Sequence, residues 1–146
     1  MELEVQRGLA ADLFNYCWAL IEKEGRTERE TDLMIDSAHA SRFFWEAAGE
    51  PLNHARGEWQ ISRAYAVAGR AEAALHHARR SLEICERNGI GDFDLGYAYE
   101  ALARGHALGG DREEAERCIA LGRDLAARVE DPDDRELLLG DLTSIL

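Results

Sequence analysis

Glycine punctuates this chain at nearly regular intervals. Gly25, Gly49, Gly69, Gly89 and the pair Gly109-Gly110 each follow a segment rich in helix formers. In the first segment Leu9, Leu13, Tyr16, Cys17 and Leu20 fall at three- and four-residue steps, which places them on one helical face. Helices this short cannot stand alone, because most helical stability in water comes from burying an apolar face. With only about two to four residues between segments, each helix must fold back on its neighbour as an antiparallel hairpin. Composition closes off the alternative. Ala, Leu, Glu and Arg supply 75 of 146 residues, whereas Val, Ile and Thr number 13, so a sheet-based fold is excluded. An apolar content of 46% is enough for a core, and the length suits one domain, residues 1–146.

Start and stop signals predict seven helices. The first runs from about Leu3 to Glu24. Thr27 with Glu30 forms a capping box, in which hydroxyl and carboxylate satisfy orphan backbone donors reciprocally, and the second helix then continues to Ala48. Pro51 suits the first turn of a third helix, which closes at Gly69. A fourth covers Ala71 to Arg87. Asp92 is read as the cap of a fifth ending at Gly109-Gly110, and Asp111 with Glu114 as the start of a sixth reaching Val129. Asp131-Pro132 opens a seventh that runs to the C-terminus.

The hairpins repeat. A shift of 41 residues aligns Arg63, Ala66, Gly69, Glu72 and Ala74 with Arg104, Ala107, Gly110, Glu113 and Ala115. A glycine turns the chain between two helices, and an alanine five residues on lets them cross closely. A period near 40 with helix–turn–helix content is the mark of an α-solenoid. At Tyr65, Gly69, Ala74 and Leu82, and again at Tyr99, Leu102, Gly110 and Ala115, the chain resembles the tetratricopeptide repeat (TPR) family. The resemblance covers 56–130, and it is also similar to small stand-alone bacterial members of that group, which have no assigned activity as a class. The family period is about 34 residues, so the longer spacing implies extra residues in a helix end and the turn Arg87–Phe93. The closing proline of the family pattern is absent from the first repeat and loosely matched by Pro132 in the second. The resemblance implies a degenerate hairpin at 1–50, two TPR-like repeats at 51–130 and a capping helix at 131–146.

Charge narrows the function classes. The formal charge is -12, which argues against a general binder of nucleic acid or anionic membrane, since both require a cationic footprint. Residues 1–50 and 111–146 each carry 11 acids and 5 bases, while 51–110 carries 7 of each and four of the five histidines. The N-terminus has acids where a secretory leader carries bases, and no apolar run is long enough for a membrane span. Cys17, Cys85 and Cys118 are odd in number and far apart, which reads as reduced buried thiols of a cytoplasmic protein. Adjacent His76 and His77 point about 100° apart on a helix and do not share one ion easily, so no metal or other cofactor is expected. Gly89-Ile90-Gly91 follows a helix rather than a strand, which makes it a helix stop and not a phosphate loop. No nucleophile–base spacing is present, and the chain is read as non-enzymatic.

Two side-chain sets remain. Arg56, Trp59 and Arg63 share one face of the third helix, and Glu100 and Arg104 one face of the fifth. The TPR resemblance puts these first-helix positions on the concave groove. There the guanidinium forks suit a carboxylate, such as an acidic segment or the C-terminus of a partner protein. The bland alternative is internal ion pairing, to which the Glu100–Arg104 spacing already points. Phe43-Phe44-Trp45 spans most of a helix circumference, and Trp45 is a further candidate for lining a ligand site. The resulting expectation is a protein- or peptide-binding module. The alternative is a sensor or carrier for an anionic or aromatic small molecule among Trp45, Trp59 and the arginines. Leu138, Leu139, Leu142, Ile145 and Leu146 form one stripe on the last helix, to be covered by helices five and six or by a second copy in a homodimer.

Overall fold

The computed structural model describes all 146 residues and is entirely helical. Its seven helices are α1 (Leu3–Glu22), α2 (Glu28–Ala48), α3 (Pro51–Val67), α4 (Ala71–Arg87), α5 (Asp92–Leu108), α6 (Arg112–Ala126) and α7 (Pro132–Thr143). Local chemistry sets most of the boundaries. Past α1, Gly25 takes φ +67°, and the Arg26 guanidinium donates to the carbonyls of Leu20, Ile21 and Lys23 at the helix end, where backbone donors run short. The Thr27–Glu30 box closes in both directions at 3.1 Å.

Four helix ends differ from expectation. Asp92 does not cap α5; Gly91 occupies the cap without a side chain, and Asp92 takes φ +39° as the chain turns into the helix. Asp111 accepts from the Glu114 amide, but the Glu114 carboxylate swings to Arg117, so this box closes on one side only. Finally, α6 stops at Ala126 and α7 at Thr143, each a few residues early, in tight last turns where Val129 N–H reaches back to Ala126 and Ile145 N–H to Leu142.

Every helix packs against its neighbours in sequence. The odd-numbered helices α1, α3, α5 and α7 also meet in succession, and no other pair brings its backbones together. One face of the molecule is therefore built from α1, α3, α5 and α7 side by side. Two apolar clusters fill the interior. Cys17, Leu20, Ile21, Met34, Ala38, Ile61 and Ala64 join α1 to α3, while Ala78, Tyr97, Leu102, Cys118, Ile119, Leu138 and Leu142 join α4 to α7. The three cysteines are free and buried. Small residues decide how closely the last helix docks. A Cβ on Gly96 would lie 2.6 Å from Leu138 Cδ2, and one on Gly122 would lie 2.9 Å from Leu142 Cδ2, so α7 settles into space that only glycine leaves. Leu138 and Leu142 are fully buried there, whereas Leu137 and Leu146 remain exposed. No helix is long and apolar enough to cross a membrane.

Candidate functional site

The face made by the odd helices carries a cavity of about 200 Å³. Its walls are Phe14 and Trp18 from α1, Trp59 from α3, Phe93 and Tyr97 from α5, and Leu137 from α7. These rings brace one another. Trp18 and Trp59 lie 5.7 Å apart between centroids, and Tyr97 meets both Trp59 (5.5 Å) and Phe93 (5.1 Å) edge to face, the geometry that ring quadrupoles favour. The polar groups at the cavity are already engaged. Arg56 makes a two-pronged pair with Asp94 at 2.8 and 3.1 Å, and those bonds hold its guanidinium even more firmly protonated than usual. Tyr97 donates its hydroxyl to Asp141 at 2.7 Å; burial, followed by that bond, pushes the phenol far above its ordinary range.

Glu100 holds this wall from behind. It is completely buried and accepts from Trp59 Nε1 (3.1 Å), Arg63 Nη1 (3.4 Å) and Arg104 Nε (3.1 Å). The indole N–H is thereby turned inward, which leaves the Trp59 ring itself facing the cavity. Arg63 also stacks over Trp18, its guanidinium carbon 6.0 Å from the ring centroid, and burial lowers its proton affinity despite the nearby carboxylate. Arg104 continues to the Asp141 carbonyl at the start of the last turn of α7.

Trp59 and Arg63 of α3 thus meet Glu100 and Arg104 of α5, while Arg56 stands apart on Asp94. Arg63 and Arg104 converge on Glu100, however, and not on open space. The sixth candidate lies elsewhere. Trp45 packs at the end of α2, with the Arg7 guanidinium over its ring (5.6 Å to the centroid) and His54 bonded to its carbonyl (2.7 Å). Of the aromatic trio it belongs to, Phe43 is the one that faces solvent.

Sequence reasoning missed Phe14, Phe93, Tyr97, Leu137 and Asp141 as cavity residues. A signal was present. Trp18, Trp59, Glu100 and Asp141 are separated by the same 41 residues that relate the two repeats, and so are Phe14, Ala55, Gly96 and Leu137. Extended in both directions, the repeat interval leads from α1 to α7 along the cavity-bearing face.

A second buried charge sits between α2, α3 and α4. Glu58 accepts from Arg42 (2.8 Å) and His77 (2.8 Å) and pairs with Arg80 (3.1 Å). Burial alone would raise its pKa, but the His77 hydrogen bond and the Arg80 charge outweigh it, and the carboxyl lies below its usual range. Arg42 reaches Glu58 across Gly57, where a Cβ would come within 2.8 Å of its side chain. Beside it His77 stacks on Tyr65, whose hydroxyl bonds His39 at 2.8 Å. His39 and His77 are thus hydrogen-bonded structural side chains. No family model, curated protein or solved structure matches this chain.

Proposed function

We propose that this protein is a non-catalytic, TPR-like helical-repeat module that binds a segment of a partner protein through one large apolar anchor side chain. The aromatic cavity on the odd-helix face carries this reading. The contact order of the helices, neighbour to neighbour with the odd helices in succession, supports a short solenoid whose first-helix face is the binding face. The cavity volume of about 200 Å³ favours one partner class over the other. Pockets for drug-sized molecules occupy about 300–1,000 Å³, so a small-molecule carrier would need more room, whereas one aromatic or branched aliphatic side chain suits it. Buried anchors of this kind dominate interface energetics.

The arginines that suggested an acidic partner are already paired within the chain, Arg56 with Asp94 and both Arg63 and Arg104 with Glu100. The cavity instead lies between α1 and α7, which belong to the two segments with 11 acids against 5 bases, so basic residues flanking the anchor complement it. Three free, buried thiols fit a reducing compartment, and the cytoplasm is the proposed setting.

Selection from a random peptide library tests the proposal. Enrichment of sequences with an aromatic or large aliphatic anchor beside Lys or Arg is expected. Leu137 is 56% exposed at the cavity, so Leu137→Arg should leave the fold intact and cut peptide affinity at least tenfold. Enrichment of acidic sequences, or binders indifferent to Leu137→Arg, would overturn the proposal. Failure to select any peptide, together with stabilisation by a small aromatic such as indole, would favour the carrier instead.

A further inference from the structure

On the opposite side of α5, three unlike donors meet across the α5–α6 turn. His106 stands in the last turn of α5, and Glu114 and Cys118 lie one turn apart on α6. One donor atom from each falls within 4.8 Å of the others. The Gly109-Gly110 turn, with Gly110 at φ +85°, folds the helices back so that these positions face each other. From the geometry we propose that His106, Glu114 and Cys118 form a zinc site with a fourth position open to water.

Two of the three donors are uncommitted, and the third keeps one oxygen free. His39, His54 and His77 each bond a partner through a ring nitrogen, but the half-buried imidazole of His106 makes no hydrogen bond. The Cys118 thiol makes none either, though it is only 1% exposed. Glu114 gives Oε1 to Arg117 at 2.8 Å and keeps Oε2 free. An imidazole, a thiol and a carboxylate lying so close without bonding one another gain most from a cation that binds all three.

The chemistry selects the ion. Zinc takes nitrogen, sulfur and oxygen donors together, commonly with three protein ligands and one open position. Magnesium and calcium demand all-oxygen shells, which a thiol and an imidazole do not provide. Tetrahedral bonds of about 2.0–2.3 Å put donor atoms roughly 3.3–3.8 Å apart, so the site closes by about 1 Å through side-chain rotation. As the sulfur–zinc bond forms, the thiol proton leaves to solvent. Glu114 and Cys118 sit at i, i+4 on one helix face, where two ligands can reach one ion without distorting the backbone.

The repeat makes the site specific to this hairpin. At the 41-residue interval, His106, Glu114 and Cys118 correspond to Tyr65, Ala73 and His77. There Tyr65 and His77 clamp α3 to α4 by stacking, 5.7 Å between centroids and 12° between planes. In the next hairpin the same place in the fold carries metal ligands, and zinc would clamp α5 to α6 in the same way.

Cobalt titration of the reduced, metal-free full-length protein tests this directly. One equivalent of Co²⁺ should produce a thiolate-to-cobalt charge-transfer band and tetrahedral d–d absorption, both erased by Zn²⁺. Cys118→Ser should abolish the charge-transfer band, and Cys17→Ala and Cys85→Ala should keep it. His106→Ala and Glu114→Gln, at half-buried positions that the fold tolerates, should weaken metal binding at least about tenfold while far-UV circular dichroism stays unchanged. Absence of the band at stoichiometric Co²⁺, its survival in Cys118→Ser, or unaltered affinity in both His106→Ala and Glu114→Gln would overturn the assignment.

Discussion

Replacing Glu100 by alanine removes the one carboxylate that Trp59, Arg63 and Arg104 share. Truncating one partner of a buried ion pair costs about 3–5 kcal/mol, mostly because the remaining charge is stranded. Here two guanidinium groups would be stranded, but neither is sealed off: the Arg63 and Arg104 side chains keep 18% and 20% of their exposure. Water reaches both, which places the expected loss at the lower end, about 3 kcal/mol. For a domain of this size a change of 1 kcal/mol moves the melting temperature by roughly 3 °C, so Glu100→Ala should melt about 10 °C lower. Glu100→Gln preserves the shape and an acceptor for the indole, and should cost about half as much. Circular dichroism melts give the stability, and tryptophan emission reports whether Trp59 still faces the cavity. If Glu100→Ala melted within about 3 °C of the native protein, the carboxylate would not be what holds these side chains together. A triple change of Glu100, Arg63 and Arg104 to leucine gives an independent check. It removes the charges together and should recover much of the loss, because replacing a whole buried ionic cluster by apolar residues is often neutral.

Leu138→Ala should lower the unfolding free energy by about 2–4 kcal/mol in urea, since the residue is fully buried over Gly96 and the cavity cannot easily collapse; a loss under about 1 kcal/mol would mean α7 is not docked as described. Burial pushes the Cys17 and Cys85 thiols from 9.0 up to about 11. Raised values favour the neutral form, so their contribution is complete below pH 9.0 and is lost as the pH climbs through about 11. The urea midpoint should therefore decline over that window, and the decline should be shallower in the Cys17→Ala/Cys85→Ala variant. Glu58 has the opposite sense: its lowered pKa gives stability above the ordinary carboxylate range that disappears in acid, and Glu58→Gln should flatten the acid limb of the same profile.

How much of this was legible in the residues depends on the range of the interaction. Helix ends are settled within a few positions of chain: the Thr27–Glu30 box, Pro51 at the start of α3, and glycines in the left-handed region at 25, 69, 89 and 110 all act locally. Their chemistry can be read without knowing what lies across the molecule. Asp92 was misread because Asp is a good cap, yet the turn from Gly89 brings Gly91 into that position first. The Glu100–Arg104 pair was visible as a one-turn spacing on a single helix.

The rest required packing. That Arg63 and Trp59 also end on Glu100 depends on how closely α3 approaches α5, which no local rule fixes. The arginine pattern was compatible with a groove for anions until a buried carboxylate was found between the side chains. Trp45 and Trp59 look equally suitable as ligand-lining aromatics in the sequence, yet one packs at the end of α2 and the other walls the cavity. The donors His106, Glu114 and Cys118 lie on both sides of a turn, so only the crossing of α5 over α6 makes them neighbours. Local backbone energetics thus decide where each helix begins and ends. Which side chains meet is decided by the angles and distances at which the helices cross, and those belong to the whole assembly.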